Sequence, residues 1–141
     1  MAFNNIYRVS GSAMTAQTVR LNTIASNMAN ADAPSATENG VYKARRPVFA
    51  SVYQNDELMG NRALTGARVQ VMDVVETGNA VQRYEPNHPM ADDRGYVYYP
   101  DVNVVEEMAD MMSASRSFET NVDVLNSVKS MQQSLLRLGE V

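Results

Sequence analysis

Residues 103–138 read as one unbroken amphipathic helix, and that stretch sets what the rest of the chain can build. Apolar side chains recur at Val104, Met108, Met111, Phe118, Val122 and Leu125, with the small Ser115 filling the fourth place in the row. Alternating steps of four and three are the seam of a helix that packs along another helix. Beyond Leu125 the row continues at Val128, Met131, Leu135 and Leu138. This second row is out of phase by about one residue, which predicts a local change in how two helices wind around each other. Pro100 cannot lie inside the helix. Asn103 offers an N-cap, Glu106 completes an Asn-x-x-Glu capping box, and Gly139 offers a C-cap. Roughly 36 residues span about 54 Å, against about 30 Å for the diameter of a small domain. Part of such a helix is expected to find its partners on other chains.

A second helical segment covers residues 3–31. Tyr7, Met14, Leu21 and Met28 stand seven apart, flanked by Ile6, Val9, Ala13 and Ile24. Gly11 weakens a continuous helix by about 1 kcal/mol relative to alanine. Pro34 disfavours helix at the residue before it, so the segment ends near Asn30. Two readings stand side by side. One is an ordinary core helix of a small domain. The other is a terminal helix that pairs with the C-terminal one and with neighbouring subunits. On the second reading, the seam residues of both helices form the candidate assembly interface.

Between the helices the period changes from helical to two. Residues 32–40 are a polar loop, and Val41–Tyr53 reads as a strand that Pro47 pushes toward an edge or a bulge. Residues 55–66 carry no clear period and read as a loop. Arg68–Glu76 is a valine-rich strand, Thr77-Gly78-Asn79 a turn, and Ala80–Tyr84 the returning arm of a hairpin. Pro86–Gly95 is another loop, and Tyr96–Tyr99 a short aromatic extended segment. The expected fold class is α+β. N- and C-terminal helices form a coiled-coil-like pair, with a small β-rich module inserted between them. The expected units are an N-terminal helix over 1–31, a β-rich domain over 32–102 and a C-terminal helix over 103–141.

Function classes can be narrowed. The net charge of -4 and the absence of a large Lys/Arg cluster argue against a nucleic-acid binder. There is no cysteine, hence no disulfide, thiolate metal site or cysteine nucleophile. No run of about 18 apolar residues exists, so no membrane insertion is expected. The N-terminal MAFNNIYRVSGSAM lacks the charged and apolar regions of a secretory signal, which implies a cytoplasmic protein or the cargo of a machine that reads other signals. His88 is the only histidine, and Asp92 and Asp93 follow it. A turn built by Pro86 and Pro89 accounts for this segment more simply than a metal or catalytic site does. No phosphate loop, nucleophile elbow or zinc-helix motif occurs. Glu106 and Glu107 suit the positive end of a helix dipole. No catalytic, cofactor-binding or metal residue is assigned, and no cofactor is expected.

Three blocks carry a resemblance. Leu21-Asn22-Thr23-Ile24-Ala25-Ser26-Asn27-Met28-Ala29-Asn30-Ala31 is similar to a motif shared by bacterial flagellar axial proteins. Tyr84-Glu85-Pro86-Asn87-His88-Pro89, followed by Gly95-Tyr96-Val97 and by Pro100–Met108, resembles the proximal-rod type within that family. Ser113–Val122 also matches the family style, and the likeness covers nearly the whole chain. It implies a non-enzymatic, cofactor-free structural subunit, exported unprocessed through the flagellar type III apparatus. Such subunits assemble helically in the periplasmic rod of the basal body, both terminal helices forming the inner tube of a drive shaft that transmits torque. The implied neighbours are further copies, the rod proteins FlgB, FlgF and FlgG, and the FliE adaptor. Two terminal helices on one small β module cannot bury all their apolar faces within one subunit, and heterologous contacts repeated by a screw rotation give an open filament. A coiled-coil adaptor or chaperone of a type III secretion system, binding helix-in-groove, is the alternative. A hydrolase using His88 with Asp92 or Asp93 is a third class.

Overall fold

The computed structural model describes residues 2–55 and 64–138. The centre of the expected 55–66 loop and the Gly139 cap lie outside the described residues. Helix α1 (Ala2–Asn30) passes through Gly11 without a break. Helix α2 (Val104–Leu138) is 35 residues long and equally continuous. Asn103 opens α2, since its Oδ1 accepts the Val105 N–H at 3.1 Å and its carbonyl accepts the Glu107 N–H at 3.0 Å. The helices run antiparallel. The Tyr7 hydroxyl donates to Gln132 Oε1 at 3.1 Å near one end, and Arg20 meets Asp110 at 2.8 Å toward the other.

Strand β1 (Ala44–Asn55) pairs antiparallel with β2 (Leu64–Thr77) as a long two-stranded ribbon. The register shifts between Val48 and Phe49, directly after Pro47, which has no N–H for the ladder. Both strands run further toward the ribbon tip than the period-two pattern predicts. Asn55, Leu64 and Gly66, expected as loop, are ladder residues.

The expected hairpin between residues 68–76 and 80–84 does not form. Strand β3 (Ala80–Tyr84) pairs instead with β4 (Tyr96–Pro100). The ribbon ends at the pair Ala44–Thr77, and the second sheet starts three residues later at Ala80–Pro100. Gly78, at φ 102°, takes the left-handed conformation that redirects the chain between the two sheets. Pairing β3 with β4 sets Tyr84 edge-on to Tyr96 with ring centroids 5.3 Å apart, and places the Arg83 guanidinium 4.6 Å from the Tyr99 ring centre.

Helix α1 is the middle element, in contact with α2 and with both strands of the ribbon. Ser12 Oγ accepts the Val69 N–H at 3.0 Å, so a helix side chain satisfies part of the β2 edge. The β3–β4 sheet is tied to the α1–β1 connection by paired backbone bonds between Ser35 and Tyr98 at 2.9 and 3.0 Å. The core is small and rich in small side chains: Ala16, Ala31, Ala44 and Ala114 are buried together with Ile24, Val41, Val97 and Val128. Close approach at alanines brings the helix backbones together but leaves many larger apolar groups outside. The architecture is α+β, with long helices at the two ends of the chain and small antiparallel sheets between them.

Candidate functional site

The helical pair is the feature to which the sequence assigns function, and its geometry divides α2 into distinct faces. Glu107, Ala114 and Val128 are buried, and with half-buried Asn121 they form a row of sevens. Met111, Phe118, Leu125 and Gln132 are half-buried four residues after each member of that row. Positions spaced this way share one face, the face that meets α1. Of the seam residues read from sequence, Met111, Phe118, Val122, Leu125 and Val128 therefore lie on or beside the surface that α2 turns to its own α1. Val104, Met108, Met131, Leu135 and Leu138 are exposed. The row after Leu125 drifts off the α1 face onto an outer flank, and α2 stays a regular helix throughout. On α1, Tyr7, Met14, Leu21 and Met28 are half-buried, beside the more deeply buried Ser10, Ala16, Thr23, Ile24 and Asn27.

Two polar constellations hold this pair to the ribbon. Asn27 is 1% exposed and fits against the backbone of Arg45. Its Oδ1 accepts the Arg45 N–H at 2.8 Å, and its Nδ2 donates to the Arg45 carbonyl at 3.0 Å. The side-chain amide thus acts as one residue of a third strand alongside β1. The Tyr42 hydroxyl donates to the same Oδ1 at 2.9 Å, and having given up its proton it accepts from Ser26 Oγ at 3.0 Å. The second constellation is ionic. Arg46 lies 3.7 Å from Glu107 and 3.6 Å from Asp110, while Arg20 reaches Asp110 at 2.8 Å. One strand and both helices meet at these charges. The Glu107 side chain is only 3% exposed, so it does more than complement a helix dipole.

Sequence reasoning singled out neither constellation. Asn27 lies within the recognised Leu21–Ala31 block, and that membership was the available signal. Nothing near Arg46 in sequence indicates that it reaches a residue some sixty positions away.

His88 occupies a turn. Its Nδ1 accepts the Met90 N–H at 3.1 Å, and its own N–H bonds the Glu85 carbonyl at 3.0 Å. Asp92 Oδ1 accepts the N–H groups of Arg94 and Tyr96 at 2.9 and 2.8 Å, stitching the 85–95 loop together around Gly95 at φ 83°. Partial burial, with the hydrogen bond from its hydroxyl to Glu85 Oε2 at 3.1 Å, raises the Tyr99 phenol above the ordinary tyrosine value. Among the described residues, no three or more histidine and carboxylate groups gather as a metal site. No helix among them is long and apolar enough to cross a membrane.

Comparison with known proteins places these elements. Residues 8–37, spanning most of α1 with Asn27, match the family described as flagella basal body rod protein. Residues 93–138, covering β4 and α2, match the family described as flagellar basal body rod FlgEFG protein C-terminal. The chain is 48% identical over 141 residues to the flagellar basal-body rod protein FlgC of Escherichia coli O6:H1, covering 99% of this chain and all of the relative. It is 46% identical over 142 residues to FlgC of Salmonella typhimurium, again over 99% of this chain and all of the relative. Against FlgC of Borreliella burgdorferi it is 35% identical over 142 residues, 92% of this chain and 93% of that protein. Helices at both ends, a ribbon clamped to the first helix and full-length likeness to named rod proteins agree: the chain belongs to the FlgC family of flagellar basal-body rod proteins.

Proposed function

We propose that the protein is a non-catalytic structural subunit of the proximal rod, built into a helical assembly through its paired terminal helices. The observation that carries this reading is the division of α2. One face is committed to α1, while Val104, Val105, Met108 and Met112 at one end, and Val124, Met131, Leu135 and Leu138 at the other, are exposed. A monomeric protein rarely shows so many large apolar side chains on one helix. Covering them with neighbouring subunits removes that surface from water and transmits twist through many parallel contacts. On this reading the chain reaches the periplasm through the flagellar type III apparatus and meets FlgB, FlgF, FlgG and FliE there. The Asn27 clamp and the Arg46 cluster keep ribbon and helices in fixed relation while the assembly bears load.

The test is deletion and complementation. Cells lacking the gene should stop swimming and yield basal bodies without a rod, and the full chain supplied in trans should restore both and co-purify with the basal bodies. A chain that stays in the cytoplasm bound to an export substrate, with rods intact in the deletion strain, would instead mark a secretion chaperone.

A further inference from the structure

We propose that Asn39 is a site of spontaneous covalent modification, its side-chain amide lost by attack of the Gly40 backbone nitrogen, and that the fold around it is a lock on that reaction. Asn39-Gly40 is the single Asn-Gly pair in the chain, and Asn39 is exposed in the polar connection between α1 and β1. Glycine offers the attacking nitrogen no side chain to obstruct its approach. The Gly40 nitrogen bonds to Asn39 Cγ, the Cγ–Nδ2 bond breaks, and ammonia leaves with the proton that the backbone nitrogen gave up. Water then opens the five-membered imide at either carbonyl. One opening gives aspartate. The other gives isoaspartate, in which the main chain runs through Cβ and gains one carbon. No reagent beyond water is consumed, and the chemistry stands whatever the chain assembles into.

The fold supplies both the hazard and the lock. A Cβ at position 40 would lie 2.8 Å from Ser35 Oγ and 2.9 Å from Thr37 Oγ1, closer than carbon and oxygen pack, so the turn demands glycine after Asn39. Yet Glu38–Gly40 is a 3-10 turn, and in it the Gly40 N–H donates to the Thr37 carbonyl at 3.1 Å. A nitrogen whose proton is shared with a carbonyl loses it less readily, and attack needs the Asn39–Gly40 peptide to rotate out of the turn. The same Thr37 carbonyl accepts the Ser35 hydroxyl at 3.0 Å, and Ser35 Oγ accepts the Thr37 N–H at 3.3 Å. Ser35 therefore holds the lock, and its backbone also carries the paired bonds to Tyr98. Reaction in the folded chain waits for the turn to open, so its rate is the unfolded rate scaled by the open fraction. Asn39 then records how long a chain has stood unfolded. Isoaspartate adds a carbon between Thr37 and Gly40, which breaks the bond joining them and loosens the tie from Ser35 to the β3–β4 sheet.

The experiment ages the purified full chain in mildly alkaline buffer, with and without unfolding urea. Peptide mapping by mass spectrometry follows residue 39, and enzymatic methylation of isoaspartate gives a second readout. The unfolded chain should convert Asn39 to a mixture of aspartate and isoaspartate, and the folded chain should convert it about tenfold more slowly or less. Asn39→Gln should remove the isoaspartate signal, since attack must then close a six-membered ring. Ser35→Ala keeps the Asn-Gly pair and releases Thr37. Its rate in urea should match that of the wild type, and its rate when folded should rise several-fold. In chains aged in urea and refolded, the Ser35 and Tyr98 amides of isoaspartate-containing molecules should exchange faster with solvent, whereas Asn39→Asp, with the charge and no added carbon, should leave them protected. An unfolded chain that keeps Asn39 intact would overturn the site. Equal rates in folded and unfolded wild type, or a folded Ser35→Ala chain no faster than wild type, would overturn the lock. Unchanged exchange at Ser35 and Tyr98 in the isoaspartate chains would overturn the effect on the tie.

Discussion

Asn27 shows how one polar side chain can hold two elements in register. Its amide meets both the donor and the acceptor of Arg45, and a hydroxyl from Tyr42, at a position closed to water. Asn27→Ala strands those partners, each at a cost of about 1–3 kcal/mol. Urea melts should therefore show a loss of about 2–4 kcal/mol. Arg45→Ala keeps the backbone groups and removes a long, exposed pairing with Glu76 at 3.5 Å and a guanidinium contact 5.8 Å from the Tyr42 ring centre, so it should cost about 1 kcal/mol. At Tyr99, desolvation and the Glu85 carboxylate both favour the neutral phenol. Whatever this group contributes to stability is present below the unfolded tyrosine value of 10.0 and is lost as pH rises through the higher folded value. An NMR titration should find Tyr99 ionising above that value, and Glu85→Gln should move it back down.

At the scale of elements, Gly11 offers a direct test of helix energetics. An added Cβ would meet nothing within 4 Å, and the backbone there is ordinary helix. Gly11→Ala should stabilise the monomer by about 1 kcal/mol, read as a rise of a few degrees in melting temperature. Both helices were legible in the sequence because a 3.6 period, an N-cap at Asn103, Pro34 after α1 and Pro100 before α2 all act locally. The pairing of strands was less legible. Ala80–Tyr84 has the alternation of a hairpin arm whichever partner it takes, and the choice depends on Tyr96 and Tyr99, which arrive in space rather than in sequence. The inner face of α2 was legible at Phe118, Leu125 and Val128. The exposed course of Met131, Leu135 and Leu138 was not, because an apolar ridge does not announce which of two partners covers it. Glu107 looked like an ordinary first-turn acid because the guanidinium beside it comes from the ribbon.

At the scale of the whole molecule, the contacts that join the helical pair are as non-local as a chain of this length permits. Tyr7 and Gln132 bond across 125 residues of sequence, whereas each sheet closes between strands that follow one another in the chain. Loop-closure entropy makes the distant pairing late. Pulsed amide exchange during refolding should find β1–β2 and β3–β4 protected before α1, and α1 protected together with α2. A chain cut after Val124 should keep the β3–β4 signals and lose protection along the first half of α1. Protection of α1 ahead of the sheets would contradict this order.

The antiparallel closure of the two ends also bears on a chain threaded end-first through a narrow passage. Whichever end leads, the outermost turn of the helix that emerges first meets its helical partner only when almost the last residues clear the exit, since Tyr7 pairs with Gln132. A polypeptide threaded in that way would carry its own timer: the part that needs the final segment could not lock prematurely, and release from the passage would complete the fold.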